Sequence, residues 1–380
     1  DNGRMHYSTL SQIDTANVKD LEVAWVYRTG DAAAGSQMQT NPLVVDQTLY
    51  GVSPQLRLFA VDAGSGKEKW TFDPSDTGDT AAQPAGSHHG MNACRGLALY
   101  RDNKNGHKLF YTVGSFLYCI NARTGTLEKG FGAGGRVSLH EGLDVERDIR
   151  HLRMTSTSPG IIYKDLLIMG SSLNEEEESA PGHIRAYDVH TGKIRWIFHS
   201  IPHPGEEGYE TWLSPDSHKY RGGANTWGGF TLDEKRGIVF AATGTANPDF
   251  YGGHRPGDNL YANSVLAIDA ATGKKKWHFQ TVHHDLWDWD LPMPPVLVTV
   301  TKDGKQQDLA VQLTKQGFVF VFDRETGAQV YPMEERPVPV QSALEGEYLS
   351  PTQPFPTAIA PFIRQEMRKE DLNTLLPDSS

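Results

Sequence analysis

One formula dominates this chain. An apolar run leads into D/N-x-x-T/S-G and then a short polar run that most often closes on an aromatic residue. It occurs as LFAVDAGSGKEKW to Trp70, LYCINARTGTLEK to Lys129, IRAYDVHTGKIRW to Trp196, VLAIDAATGKKKW to Trp277 and VFVFDRETGAQVY to Tyr331. The apolar run is the composition of a strand, and the glycine frees a tight turn to take positive φ. Each copy therefore predicts a hairpin.

Successive turns at Asp62, Asn121, Asp188, Asp269 and Asp323 stand between 54 and 81 residues apart. That interval holds one hairpin, two further strands and a loop of variable length. Four-stranded blades repeated around an axis satisfy it, and a sandwich of unrelated hairpins does not explain one turn formula used five times. Residues 18–31, VKDLEVAWVYRTGD, read as a sixth outer strand without the turn. A short helix is expected near FIRQEMRKEDLNTLL, and no linker divides the chain, so residues 1–380 are read as a single domain.

Composition narrows the class. Hydrophobic residues make up 38% of 380 residues, with no apolar run long enough to span a bilayer. The net charge of −11, with basic residues scattered, argues against a nucleic-acid partner. Cys94 and Cys119 have neither zinc-site nor CxxC spacing. The chain starts at Asp1, so a leader is expected to have been removed or excluded.

Chemistry is expected in the loops between strands. TVHHDLWDWDLP, residues 281–292, sets Asp288 between Trp287 and Trp289, which favours a partly dehydrated carboxylate able to accept a proton. Asn174 and Glu175 follow an apolar strand at 166–169, and Asn247 stands at another strand end. With Asp288 they offer hard oxygen ligands, suited to calcium and not to zinc. Glu176, Glu177 and Glu178 read as a solvated run. Lys315 interrupts an apolar stretch and either reaches the surface or directs a cation at a bound oxygen. Trp227, set among glycines in GGANTWGGF, is either a stacking floor for a planar ring or a core residue beside a turn.

Together these motifs resemble the quinoprotein dehydrogenases that use pyrroloquinoline quinone (PQQ). QTVHHDLWDWDLP and TKQGFVFVFDRETG look most like the membrane glucose dehydrogenase branch, and TSPGIIYKDLLIMGSSLNE is similar to a segment of methanol dehydrogenases. The resemblance implies an all-β, eight-bladed quinoprotein-type propeller, cut short here at about six blades. It implies PQQ contacts from Arg95, Thr157, Ser172, Trp227 and Lys315, and metal ligands among Glu175, Asn174, Asn247 and Asp288. Asp288 would also be the catalytic base. The implied ion is Ca2+, with Mg2+ as the alternative.

The activity implied is oxidation of a sugar, an aldose first, or of an alcohol. Electrons would pass to a membrane quinone or a cytochrome c, in a periplasmic or other extracytoplasmic setting that includes the membrane surface. A further chain segment or a second subunit is expected to close the ring. Met91 and Gln39 depart from the family pattern, with His88 and His89 near enough to substitute for the histidine that Met91 replaces. The competing reading is a non-catalytic propeller scaffold of the outer-membrane assembly type, or a degenerate PQQ binder. The residues 199–212 and 249–263 would cover a sugar or pack between blades.

Overall fold

The computed structural model describes residues 2–77 and 93–371. Met91, His88 and His89 lie outside them. Among the described residues, four antiparallel sheets have four strands each, in sequence order from one edge to the other. The first blade runs Leu43–Val45, Thr48–Val52, Leu58–Asp62 and Glu68–Phe72. The second runs Ala98–Tyr100, Lys108–Val113, Phe116–Asn121 and Arg136–Ser138. The third runs Ile161–Tyr163, Leu166–Met169, Ile184–Asp188 and Ile194–Phe198. The fourth runs Phe230–Asp233, Ile238–Ala242, Ser264–Asp269 and Lys275–Gln280. A fifth blade has three strands, Val296–Lys302, Lys305–Leu313 and Val319–Asp323, and Met333–Pro337 pairs with Thr352–Pro356 beyond it.

The repeated formula makes the expected turn at all five places. Asp62, Asp188, Asp269 and Asp323 each accept, through Oδ1, the amide and hydroxyl protons of the Ser or Thr three residues on. In the first, third and fourth blades the chain returns directly as the outer strand, with a register shift at the same point of each hairpin. The other two copies differ. After Asn121 a glycine-rich insert intervenes, leaving one bridge from Ile120 to Leu127 before the outer strand forms at Arg136–Ser138. After Asp323 the return makes a single bridge, Phe322 to Gln329.

The tryptophans explain why the formula repeats. Trp70 donates its indole proton to the Ala122 carbonyl and lies against Gly125, in the turn of the next blade. Trp196 does the same with Ala270 and Gly273, and Trp277 with Arg324 and Gly327. Each of these glycines has φ between +71° and +74°, and a Cβ there would stand 2.6 Å or less from an indole carbon. The turn thus needs glycine for its backbone and for its neighbour. Lys129 ends the second unit, and there Phe131 and Val137 fill the place against Gly192.

Residues 21–29 form no ladder among the described residues, which departs from the expected sixth outer strand. Trp25 nevertheless docks as its counterparts do, on the Ala63 carbonyl and Gly66. The sixth unit is therefore present through its anchoring indole, while its strand face, Leu21, Val23 and Val26, stays exposed. Of the stretch expected to hold a short helix, 362–371 carries only a 3-10 turn, Lys369–Asp371, and 372–376 lie outside the described residues.

The apolar core lies between blades. Separate buried clusters join the first blade to the second, the second to the third, the third to the fourth and the fourth to the fifth. The innermost strands of neighbouring blades touch, from the second to the fifth. Asn2 and Gly3 cross this centre, accepting from the amides of Leu232 and Leu297. Among the described residues no helix is long and apolar enough to cross a membrane.

Candidate functional site

Because strands alternate in direction, the start of each blade's first strand and the end of its second lie at the same end of the ring. Two kinds of loop meet there. Arg95, Thr157, Trp227 and Asp288 come from segments leading into a first strand. Ser172, Asn174, Glu175, Asn247 and Lys315 come from segments leaving a second strand. Every one of these expected site residues lines a single cavity of about 230 Å³. Four blades contribute to it.

Trp227 forms one wall. Its indole Nε1 donates to Asp290 Oδ2 at 2.8 Å, and the Arg95 guanidinium lies 5.7 Å from the ring centre. Arg95 also hydrogen-bonds Thr157 Oγ1, and its backbone amide donates to the Thr157 carbonyl at 2.8 Å. The floor reading of Trp227 is therefore the one the geometry supports, since the ring is half-buried and opens on the cavity rather than the core.

Within TVHHDLWDWDLP the side chains sort to two sides. Asp285 is buried and accepts from the amides of Trp287 and Trp289, from Asn263 Nδ2 and from Thr245 Oγ1. It shapes the loop and leaves Asp288 and Asp290 facing the cavity. Asp288 takes φ +52°, in the left-handed region. The flanking tryptophans point the other way: Trp287 is 71% exposed and Trp289 38%. Partial dehydration of Asp288 thus comes from the cavity walls and not from the indoles beside it.

Burial pushes the Asp288 carboxyl above the ordinary carboxylate range, against the opposing pull of Lys315. Lys315 stands in the loop between two strands, where its Nζ donates to the Asp288 carbonyl at 2.6 Å and lies 3.2 Å from Asp288 Oδ2. Asp290 is raised by burial and by the charge of Asp288. Asp249, buried on the same wall, is pushed up to about 8 by burial and then by Asp290, Glu175 and Asp288. Buried carboxyls whose pKa values are raised by burial and then by one another suit a bound cation.

The donors suit a hard ion. Asn247 Nδ2 donates to the Asn174 carbonyl at 2.6 Å, which leaves its Oδ1 available, and Asn174 Oδ1 is buried with no hydrogen-bond partner. Glu175 is exposed at the rim. Carboxylate and amide oxygens without thiolate or imidazole fit calcium or magnesium, so the residues present fit the implied metal. The flat indole wall, with cations from Arg95 and Lys315 around it, fits a planar polyanionic quinone. Neither cysteine lines this cavity, and burial pushes the Cys94 thiol up to about 11 and the Cys119 thiol up to about 12.

Asp249, Asp290 and Arg153 also line the cavity, and sequence reasoning did not select them. Asp249 lies two residues after Asn247, and Asp290 two after Asp288, so alternation along the segment was the available signal. Arg153 donates to the Leu173 carbonyl and carries no motif. Gln39 donates to Gln37 and does not line the cavity. The acidic run is exposed as expected, although Glu177 pairs with Arg221 and His254, and Glu178 with His151. Much of 199–212 and 249–263 packs inward, with Ile201, Trp212, Arg255 and Tyr261 buried.

Over residues 1–380 the chain matches the family described as "PQQ: Glucose/ethanol/alcohol dehydrogenase, beta-propeller domain". It is 35% identical to the quinoprotein glucose dehydrogenase of Escherichia coli, over 92% of this chain and 44% of that protein. It is equally 35% identical to a quinate/shikimate dehydrogenase (quinone) of Acinetobacter baylyi, over 98% of this chain and 48% of the relative. Among solved structures, the quinohemoprotein alcohol dehydrogenase of Comamonas testosteroni superposes with a TM-score of 0.69 at 27% identity, covering 94% of this chain and 51% of that one. The chain spans about half the length of the relatives it matches. It belongs to the β-propeller family of PQQ glucose/ethanol/alcohol dehydrogenases.

Proposed function

We propose that the cavity binds PQQ with one Ca2+ or Mg2+ ion and serves the oxidation of a sugar, an aldose first, or of an alcohol. The reading is carried by one observation: nine residues expected from sequence, drawn from four blades, line one cavity, in which burial first and neighbouring carboxylates second raise the pKa values of Asp249, Asp288 and Asp290. A scaffold that binds only protein partners has no physical use for such crowding.

PQQ supplies a two-electron acceptor, and the ion supplies a Lewis acid beside it. The residues do the rest. Trp227 gives a flat face for the ring system, while Arg95, Thr157 and Ser172 offer donors to its oxygens. Asn174, Glu175, Asn247 and Asp288 hold the ion through oxygen atoms. Asp288 takes the substrate hydroxyl proton onto its carboxylate, and its half-buried setting raises its basicity to suit that work. Lys315 fixes the loop carrying Asp288 and favours the ionised form of that carboxyl. A membrane quinone or a cytochrome c is the proposed electron acceptor, in a periplasmic or membrane-associated location.

The test is a titration of the chain with PQQ in the presence of Ca2+, followed by absorbance, then dye reduction with glucose or an alcohol as donor. Saturable, ion-dependent binding with turnover supports the whole reading. Binding without turnover leaves the cofactor site and removes the substrate assignment for this chain. No binding favours the scaffold.

A further inference from the structure

A second cluster of ligand-type side chains lies away from this cavity. Ring nitrogens of His183, His199 and His203 stand within 4.8 Å of one another. The Nε2 atom of each is buried without a hydrogen-bond partner, and His183 is only 1% exposed. Buried ring nitrogens of this kind take a partner, whether a protein group, a water or an ion.

The partners fix what that can be. His199 Nδ1 bonds the Glu206 carboxylate, 2.9 and 3.0 Å from its two oxygens. In the neutral ring with the proton on Nδ1 toward Glu206, the lone pair is on Nε2. That Nε2 lies 3.4 Å from Asp144 Oδ2 and makes no hydrogen bond with it. Two ligands each about 2.1 Å from a tetrahedral ion stand about 3.4 Å apart. A carboxylate behind one imidazole nitrogen, with a second carboxylate beside the other, is the arrangement that orients a histidine toward a metal.

We propose that His199, His203 and Asp144 bind one divalent transition-metal ion of the Zn2+ class, with His183 beneath it. The His199 and His203 rings now stack in parallel, 4.0 Å between centres, so the His203 ring turns out of the stack to bind. No hydrogen bond restrains its Nε2. His183 Nδ1 accepts the Ser200 amide at 3.1 Å, so its Nε2 carries a proton and donates to a water on the ion. Arg185, whose charge also acts on His183, is turned to the Leu139 and Glu141 carbonyls. The ion ties loop 199–212 to the loop carrying Asp144. Ile201 and Trp212 of the first loop pack against Ala224 and Ala246, beside the cavity residues Asn225 and Asn247.

The experiment is a calorimetric titration of the chain with Zn2+ in excess Ca2+, which occupies oxygen-only sites. One equivalent is expected to bind, with affinity lowered at least about tenfold in His203→Ala and again in Asp144→Asn. Asp144 is 58% exposed, so its exchange for asparagine leaves the core untouched. Zn2+ should also raise the melting temperature of the unaltered chain more than that of Asp144→Asn. Absence of a Zn2+ equivalent in the unaltered chain, or full affinity in both variants, overturns the site.

Discussion

Lys315 holds Asp288 twice, through the backbone carbonyl at 2.6 Å and the carboxylate at 3.2 Å. The two contacts act in opposite senses on the proposed chemistry. The first fixes where the carboxylate stands, and the second lowers the pKa that burial raises. Replacing Lys315 with Gln should therefore move the acid limb of the kcat/KM profile of the PQQ-loaded protein to higher pH, because Asp288 loses its stabilising cation. An acid limb that stays in place would show that Lys315 acts by position alone.

The base itself is tested by Asp288→Asn. An amide keeps the shape and an oxygen toward the ion, and it accepts no proton. Turnover should fall by roughly 10²–10⁴-fold while PQQ still binds. Absorbance titration and dye reduction on the same sample separate the two effects, and unchanged turnover would remove Asp288 from the role.

Asp249 gives a stability prediction for the cofactor-free chain. Its folded pKa of about 8 lies above the ordinary carboxylate value, so the folded state binds the proton more tightly than the unfolded state does. The sign follows: this group disfavours folding progressively as pH rises from the unfolded pKa near about 4 to the folded value. Asp249→Asn should raise the melting temperature at pH 8 and change it little at pH 4. Adding Ca2+ should narrow the difference, since an ion nearby offsets the same repulsion. Equal melting temperatures at pH 8 would show that Asp249 is not under that strain.

What could be read from sequence followed the range of the interactions. The D-x-x-T-G turns are local, with Asp188 bonding groups two and three residues away, so they stood out directly. Asp288 and Trp227 were marked by unusual neighbours. Asp290 was not, because its role depends on Trp227 and on the Thr245 amide, 63 and 45 residues distant. The indoles at 287 and 289 are misleading for a related reason: the loop turns them outward and Asp288 and Asp290 inward, which depends on contacts far away in the sequence. The outer strand expected at 18–31 does not form because a strand depends on a partner, while a docked tryptophan depends only on the next turn.

The docking itself yields the last prediction. Trp196 is 8% exposed and fills the space over Gly273, whereas Trp25 makes the same contacts from a more open position. Trp196→Ala should cost about 3–5 kcal/mol, the range for truncating a buried large aromatic, and Trp25→Ala clearly less. Gly273→Ala attacks the same joint from the other side. It places a Cβ 2.6 Å from the indole at φ +74°, so it adds a clash to a backbone conformation that alanine disfavours. If the indole is what the glycine accommodates, the double variant Trp196→Ala/Gly273→Ala should lose less than the sum of the single losses, because alanine at 196 removes the clash. Denaturant unfolding of the four proteins measures that coupling directly, and strict additivity would mean that the glycine serves the turn alone.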